Sequence, residues 1–310
     1  MVFARQRELF EFGRVTLISL PNRSLKSMVL TGPTVARALE STEAQHLARQ
    51  VDAYRELTNA DDAKVVSASG AVAAITSPTF GRKLNHVTGL GMNGPISSTM
   101  LAELEDVYFE RGLDVEVDVC PHADRSVLAA LAERSYHVDA FSNTYVHVLS
   151  SADMANRPTG EIKVISGELL TGDLFLPASI AGFSAQVPPR EPSLLDALAR
   201  AAIARKDTKL FAAKLEDEIV GTAAMSVIPT SLGLFAHLYI ASTLPRYRRR
   251  GVQFALLQER LHAAKNSGCV AATVTARPAN ESARNAERAG FTLAYTKSTF
   301  VKKLERFKRM

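Results

Sequence analysis

Apolar residues recur three to five positions apart through Thr34–Thr58, at Leu39, Ala44, Leu47, Val51 and Tyr54, which is near the spacing of one helix face. Short apolar or alternating runs follow at Lys64–Ser67, Gly70–Thr76 and Leu84–Leu90 and predict strands. A helical stretch, Ser97–Arg111, stops at Gly112, and Leu113–Val119 then alternates apolar with acidic residues as a half-buried strand does. Pro121 opens a further helix to Arg134, Tyr136 follows, and a long strand pattern closes at Leu149. The pattern resumes with a strand at Glu161–Ser166 and a helix over Pro192–Arg205, with proline at the start, where it is tolerated. Leu210–Leu215 and Ile219–Val227 predict a hairpin across Glu216–Glu218, and Leu232–Thr243 a third strand.

The last stretch repeats the first. A helix over Val252–Asn266 stops at Gly268, and a strand follows at Val270–Thr275. Pro278 then opens a helix to Ala289, Gly290-Phe291 follows, and a final strand ends at Leu304. Gly112 and Tyr136 stand 24 positions apart, Gly268 and Phe291 23; Tyr136–Leu149 and Phe291–Leu304 both span 13. Agreement over five successive elements predicts two copies of one unit rather than a solenoid. The polar stretch Ser150–Thr159 reads as the linker, which divides the chain at 1–155 and 156–310. Strands preceding a strand–helix–strand–helix–strand run predict an α/β fold of mixed α+β type, a sheet flanked by helices in each copy.

Composition changes this picture little; charge changes it more. The chain of 310 residues has 46% hydrophobic and 22% charged residues, as ordinary globular chains do. No apolar stretch approaches the roughly 20 residues of a membrane helix. Arg5, Arg7 and Arg14 hint at an organelle transit peptide, but Glu8 and Glu11 argue against one. Cys120 and Cys269 make neither a metal spacing nor a disulfide framework, which points to a reducing, cytoplasmic setting. His46, His86, His122, His137 and His147 show no ligand spacing either, so no metal is expected. Residues 1–150 carry 14 Lys and Arg against 18 Asp and Glu, a formal −4. Residues 246–310 carry 15 against 4, a formal +11. A basic region of that size suits a polyanion: a phosphorylated cofactor, nucleic acid or an acidic membrane face.

Position decides among these. The segment Leu238–Leu257 runs from a strand into Pro245, through Arg246, Arg248, Arg249 and Arg250 to Gly251, and into a helix with Phe254, Leu257, Leu261 and Ala264 on one face. A helix N-terminus offers unpaired N–H groups and partial positive charge, hence an anion site. Flanking arginines make it suit a pyrophosphate. Neither a Walker loop nor Gly-x-Gly-x-x-Gly is present.

At these residues the sequence resembles the GNAT acetyltransferase superfamily, whose cofactor loop reads Gln/Arg-x-x-Gly-x-Gly/Ala; here it is Arg248-Arg-Arg-Gly251-Val-Gln253, with Gln253 departing from a small residue. The phrases Leu84-Asn-His-Val-Thr-Gly-Leu-Gly91 and Arg284-Asn-Ala-Glu-Arg-Ala-Gly-Phe291 extend the resemblance to tandem GNAT proteins over nearly the whole chain. It implies two GNAT-like domains, each a mixed, mostly antiparallel twisted sheet. The first copy is degenerate: Gly91–Ser97 holds no basic residue, and Pro95 removes a donor.

The resemblance further implies an N-acetyltransferase with acetyl-CoA as co-substrate. A small-molecule amine or a protein amino group would attack the thioester through a tetrahedral intermediate. Ala241, Ser242 and Thr243 match the stretch that pairs with the pantetheine arm. Arg248, Arg249, Arg250, Gly251, Val252 and Gln253 match the pyrophosphate loop, and Asn280 a position that contacts the CoA arm. The tyrosine that many relatives use as acid falls on Ala286, so Tyr295 and Tyr239 are substitutes outside the motif. His237, on the third strand, is the candidate base, since an imidazole serves at neutral pH. The missing tyrosine keeps open a non-catalytic CoA-binding regulatory or scaffold protein. Without a recognition helix or aromatic–basic interleaving, nucleic acid is not an expected partner; nor is a membrane. A monomer or homodimer is expected.

Overall fold

Pro33 opens α1 (Pro33–Thr58), and Asn59 ends it with a left-handed φ of 50°. The computed structural model describes residues 31–61, 63–151, 160–184, 186 and 188–305. The arginines near the start, nearly all of the linker and the tail beyond Glu305 lie outside the described residues.

The first half continues with β1 (Lys64–Ala68), β2 (Ala71–Ile75), β3 (Val87–Thr88), α2 (Ser98–Phe109), β4 (Val115–Val119), α3 (Ser126–Glu133) and β5 (His137–Val148). The run Leu84–Leu90 gives only two strand residues, because a 3-10 turn occupies Pro78–Lys83 and Gly89, at φ 78°, turns the chain out of the sheet. The second half holds β6 (Ile162–Ser166), α4 (Gly172–Ser184), α5 (Pro192–Ala204), β7 (Thr208–Leu215), β8 (Glu218–Thr230), β9 (Gly233–Thr243), α6 (Val252–Asn266), β10 (Ala271–Ala276), α7 (Glu281–Arg288) and β11 (Thr292–Lys302). Helix α4 escapes the sequence pattern: Pro177 sits inside it, and glycines at 172 and 182 blur its period.

The described strands form one eleven-stranded sheet in the order β1-β2-β3-β4-β11-β5-β10-β9-β8-β7-β6. All pairs are antiparallel except β3–β4 and β9–β10. The closing strands of the two halves are exchanged. β5 lies against β10 of the second half, β11 lies against β4 of the first, and β5 and β11 pair with each other. A linear pattern carries the order of elements but not this exchange, which is a pairing between residues far apart in sequence.

Each half keeps its own core. In the first, Ile75, Val87, Leu101, Leu104, Val117 and Leu131 pack α2 and α3 on the sheet. In the second, Phe211, Met225, Leu238, Leu256, Leu261 and Phe291 pack α6 and α7. A third cluster binds the halves together: Leu47 and Val51 of α1 with Phe80, Leu84, Leu194 and Leu198.

α1 also carries buried polar residues at Glu40, His46 and Gln50 and the half-buried Glu43, three or four apart and so on one face. A buried charge must be paired. Lys297 of β11, fully buried, supplies the pairing, at 3.4 Å from Glu40 and 2.8 Å from Glu43.

Candidate functional site

β9 and β10 run side by side only at Phe235↔Ala271, Ala236↔Ala272 and His237↔Thr273. Beyond that register β9 continues to Thr243 and β10 to Ala276 without pairing, so the strands part and leave a gap. β9 stays with β8, where Tyr239↔Ala224 and Ser242↔Thr222 take three steps on β9 against two on β8. This is a β-bulge. Ile240 at its centre has φ 46°, a costly conformation for a β-branched residue. A strand edge left unpaired in this way can hydrogen-bond an extended ligand.

The gap opens toward the arginine loop. Pro245–Tyr247 form a 3-10 turn, Arg249 is left-handed at φ 64°, and Gly251 precedes α6 at φ 85°. No side chain caps α6 at Gly251, so none claims its leading N–H groups. A Cβ on Gly251 would meet no heavy atom nearer than Ile162 Cδ1 at 4.0 Å. The glycine therefore serves the backbone turn, and the space before it is open. Glu218 takes up Arg246 in an ion pair and accepts from Tyr247 Oη at 2.6 Å. Arg250 lies over the Tyr247 ring at 5.5 Å. Arg248, Arg249 and Arg250 are exposed, and no described carboxylate pairs with them.

Gln253, the departure from the motif, has a role in the structure. Its Nε2 donates to Ser242 O at 2.8 Å and Thr243 Oγ1 at 2.7 Å, tying the start of α6 to the end of β9. Ser242 and Thr243 are buried and Ala241 half-buried. Ser242 Oγ sits 3.1 Å from Thr222 Oγ1, under α4, so this stretch offers backbone rather than side chains. Val252 is buried in the second core. Asn280 caps α7, its Oδ1 accepting from Ala283 N at 2.8 Å.

The candidate proton carriers lie apart. His237 is at the last paired register of the gap, buried, its ring 4.3 Å from that of His46. Its Nδ1 has no hydrogen-bond partner among the described residues. Burial, with Arg205 and Lys297 nearby, lowers its pKa to about 4 although Glu43 pulls the other way. The ring is therefore neutral at neutral pH. Tyr295 is not at the gap: β5 and β10 separate its strand from β9. Its hydroxyl donates to Glu40 Oε1 at 2.7 Å, and burial raises its pKa well above the usual value. His237 and Tyr295 stand at opposite ends of the polar network on α1. Tyr239 bonds Thr208 Oγ1 at 2.8 Å and packs edge-on against His46.

Glu43 is the site residue that sequence reading misses. It accepts from Thr275 Oγ1 of β10 at 3.1 Å and from Lys297 Nζ at 2.8 Å, which brings the first half's helix to the gap of the second. Burial would raise its pKa, but Lys297 outweighs this and holds Glu43 ionised. Glu43, His86 and Asp118 place one potential ligand atom each within 4.8 Å of one another. Their charge is already met, since Lys297 bonds Glu43 and Arg82 pairs with Asp118.

In the first half β3 and β4 pair in parallel only at Val87↔Val117, and the position equivalent to the arginine loop is closed. Ser97 caps α2, accepting from Met100 N at 3.1 Å. A Cβ at Gly91 would collide with Val127 of α3, and Gly91 O accepts from Asp124 N at 2.9 Å. A cavity of about 450 Å³ in this half is lined by Cys120, Asp124, Arg125 and Phe300, among others, and by no residue of the arginine loop.

The fold is similar to those of solved GCN5-related N-acetyltransferases. One of them, from Kribbella flavida, superposes with a TM-score of 0.57 at 14% identity, covering 84% of this chain and 95% of that one. Another, from Sphaerobacter thermophilus, gives 0.52 at 15%, covering 89% and 95%. A tandem GNAT protein from the clavulanic acid biosynthesis pathway gives 0.52 at 11%, covering 85% and 95%. At these identities the likeness is of fold. No curated protein matches the chain. Residues 179–291, from within α4 to Phe291, match the model of the acetyltransferase (GNAT) family, and this part of the chain is a GNAT domain.

Proposed function

We propose that the protein is an N-acetyltransferase that takes its acyl group from acetyl-CoA and passes it to an amine. The observation that carries this reading is the gap between β9 and β10 leading to an uncapped helix flanked by unpaired arginines. In this reading the chain is two GNAT-like units, 1–155 and 156–310. The second holds the cofactor, and the first, its anion position closed, shapes the acceptor side through α1 and the Pro78–Lys83 turn.

The N–H groups after Gly251, with Arg248, Arg249 and Arg250, hold the pyrophosphate; Val252 and Gln253 fix the helix start behind them. The free backbone of Ala241, Ser242 and Thr243 pairs with the pantetheine arm, and the Asn280 amide nitrogen, left free by its capping role, donates to it. Bound acetyl-CoA supplies an activated thioester. His237, neutral and beside the gap, accepts the proton released by the amine. Tyr295 acts at a distance, as a positioning group that fixes Glu40 and through it Lys297 and Glu43. Binding without transfer is the second reading; the low basicity of His237 and the remoteness of Tyr295 favour it.

Calorimetric titration with acetyl-CoA tests the assignment. One site per chain is expected, with affinity reduced at least 100-fold in the Arg249→Ala, Arg250→Ala, Gly251→Val variant while its circular dichroism is unchanged. Undiminished affinity in that variant would remove the cofactor assignment. Binding with no thiol release across a broad amine panel would establish the second reading.

A further inference from the structure

A second imidazole lies against His237 on the side of α1. His46 is buried, its ring 4.3 Å from that of His237 and edge-on to Tyr239 at 4.2 Å. What fixes this ring comes from the second half. Arg205, buried just after α5, holds Asp207 by two nitrogens, with Nε 2.9 Å from Oδ1 and Nη2 2.8 Å from Oδ2. Arg49 of α1 holds the same Asp207 at 2.7 Å. A planar fork fixed in this way aims its remaining nitrogen. Arg205 Nη1 lies 3.2 Å from His46 Nδ1, and Ser226 Oγ lies 3.1 Å from the same atom.

A guanidinium only donates. His46 Nδ1 therefore carries a lone pair and no proton, Ser226 also donates to it, and the ring proton sits on Nε2. To take a second proton, His46 would set an N–H against the Arg205 N–H, give up both hydrogen bonds and stand as one cation beside another. His237 is under no such restraint, since no donor faces its Nδ1 among the described residues. Burial first, and then the charges of His237, Arg205, Arg49 and Lys83, oppose a proton on His46. For His237, burial, Arg205 and Lys297 oppose it and Glu43 favours it.

We propose that Arg205 is a positioning residue that locks His46 in its Nε2–H tautomer and so leaves His237 as the one ring of the pair that takes the proton of the amine. The destination of that proton rests on the acetyltransferase reading; the lock itself does not. As the amine nitrogen attacks, its proton leaves to form an N–H on His237, and His46 stays neutral beside it. With the lock open, a protonated His46 would repel a proton from the neighbouring ring.

The test uses the full chain with isotope-labelled histidine, read by proton–nitrogen correlation NMR from neutral to mildly acidic pH, with His46 assigned through His46→Asn. In the parent, His46 Nδ1 is expected to show the shift of an unprotonated ring nitrogen throughout, and Nε2 that of a protonated one. Arg205→Lys keeps the charge and loses the fork. In it His46 is expected to become a mixture of tautomers and to take up a proton at a pH higher by about one unit or more. In the transfer assay the acid limb of the pH–rate profile is expected to move up in Arg205→Lys and to return to the parent position in Arg205→Lys, His46→Asn. A proton on His46 Nδ1 in the parent, unchanged spectra in Arg205→Lys, or a limb displaced equally with and without His46 would overturn the proposal. Where no amine is turned over, the spectra of the parent and of Arg205→Lys decide. A locked His46 in a chain that binds no acetyl-CoA would sink the acetyltransferase reading alone. Transfer from acetyl-CoA by a chain whose His46 Nδ1 is protonated would sink this inference alone.

Discussion

His237 and His86 face the buried charges of α1, β4 and β11, and both are kept neutral. Burial, with Arg82 beside His86 and Arg205 and Lys297 beside His237, brings each ring to about 4. In the unfolded chain they would take up protons near pH 6.5. Between these values the unfolded state binds more protons, so stability falls as pH falls from about 6.5 to about 4. Below that both states are protonated and this contribution is spent. Asp118, held at about 2 by Lys297 and Arg82 against its burial, keeps its own contribution until lower pH. The two rings amount to roughly 5 kcal/mol over that interval. His46 is lowered by burial and then by His237 in the same direction, so urea midpoints measured from pH 7 to 4 should decline, and those of His237→Gln should decline less steeply. A variant as pH-sensitive as the parent would mean that His237 is not held neutral. At this scale the sequence shows the loop residues and hides what lies across the gap from them. Arg248–Gly251 are adjacent and announce an anion by themselves. Glu43 meets Thr275 across 232 positions, only because the two halves fold together.

The helix α4 and the strand β9 depend on a missing side chain. A Cβ at Gly182 would overlap Ser242 Oγ and lie 3.3 Å from Thr243 N. Gly182→Ala therefore pushes α4 away from the stretch that ends the gap. Overpacking of this kind costs about 1–3 kcal/mol. The strand end should move with it, so acetyl-CoA affinity should fall in step with the melting temperature. Gln253→Ala works from the other side of the same strand. It removes two hydrogen bonds, each worth about 1 kcal/mol, and should weaken acetyl-CoA binding with a smaller loss of stability. Thermal melts and titrations of both variants check this; unchanged affinity in both would show that the end of β9 does not touch the cofactor. Most elements were legible because period and turn residues agree, as in Val252–Asn266 before Gly268. α4 was not, since Pro177 reads as a break, and the close approach that demands Gly182 is tertiary. The bulge at Ile240 left no signal, because nothing in a β-branched residue announces a positive φ.

At the scale of the molecule the exchanged strands decide what can fold alone. The order of the repeated elements is readable in the sequence, but which strand pairs with which is set at long range. Without residues 156–310 the first half loses β11, leaving β4 with one open edge and β5 with no partner. It also loses Lys302, which together with Arg134 holds the buried Glu105 at 2.7 Å, and Lys297, the partner of Glu40 and Glu43. Unpaired edges and orphaned buried acids both act against folding. The second half alone would lack β5 between β10 and β11 and lose α1, whose Glu43 bonds Thr275 of β10. Each fragment, 1–155 or 156–310, is therefore expected to be unfolded or aggregated when produced alone. The two produced together should associate and recover acetyl-CoA binding, because every missing strand is then present. Circular dichroism and size-exclusion chromatography of the fragments, separate and mixed, make the measurement. A first fragment that folds cooperatively alone would show that β11 is dispensable to it. A second fragment that binds acetyl-CoA alone with full affinity would show that the exchange matters for the acceptor side and not for the cofactor.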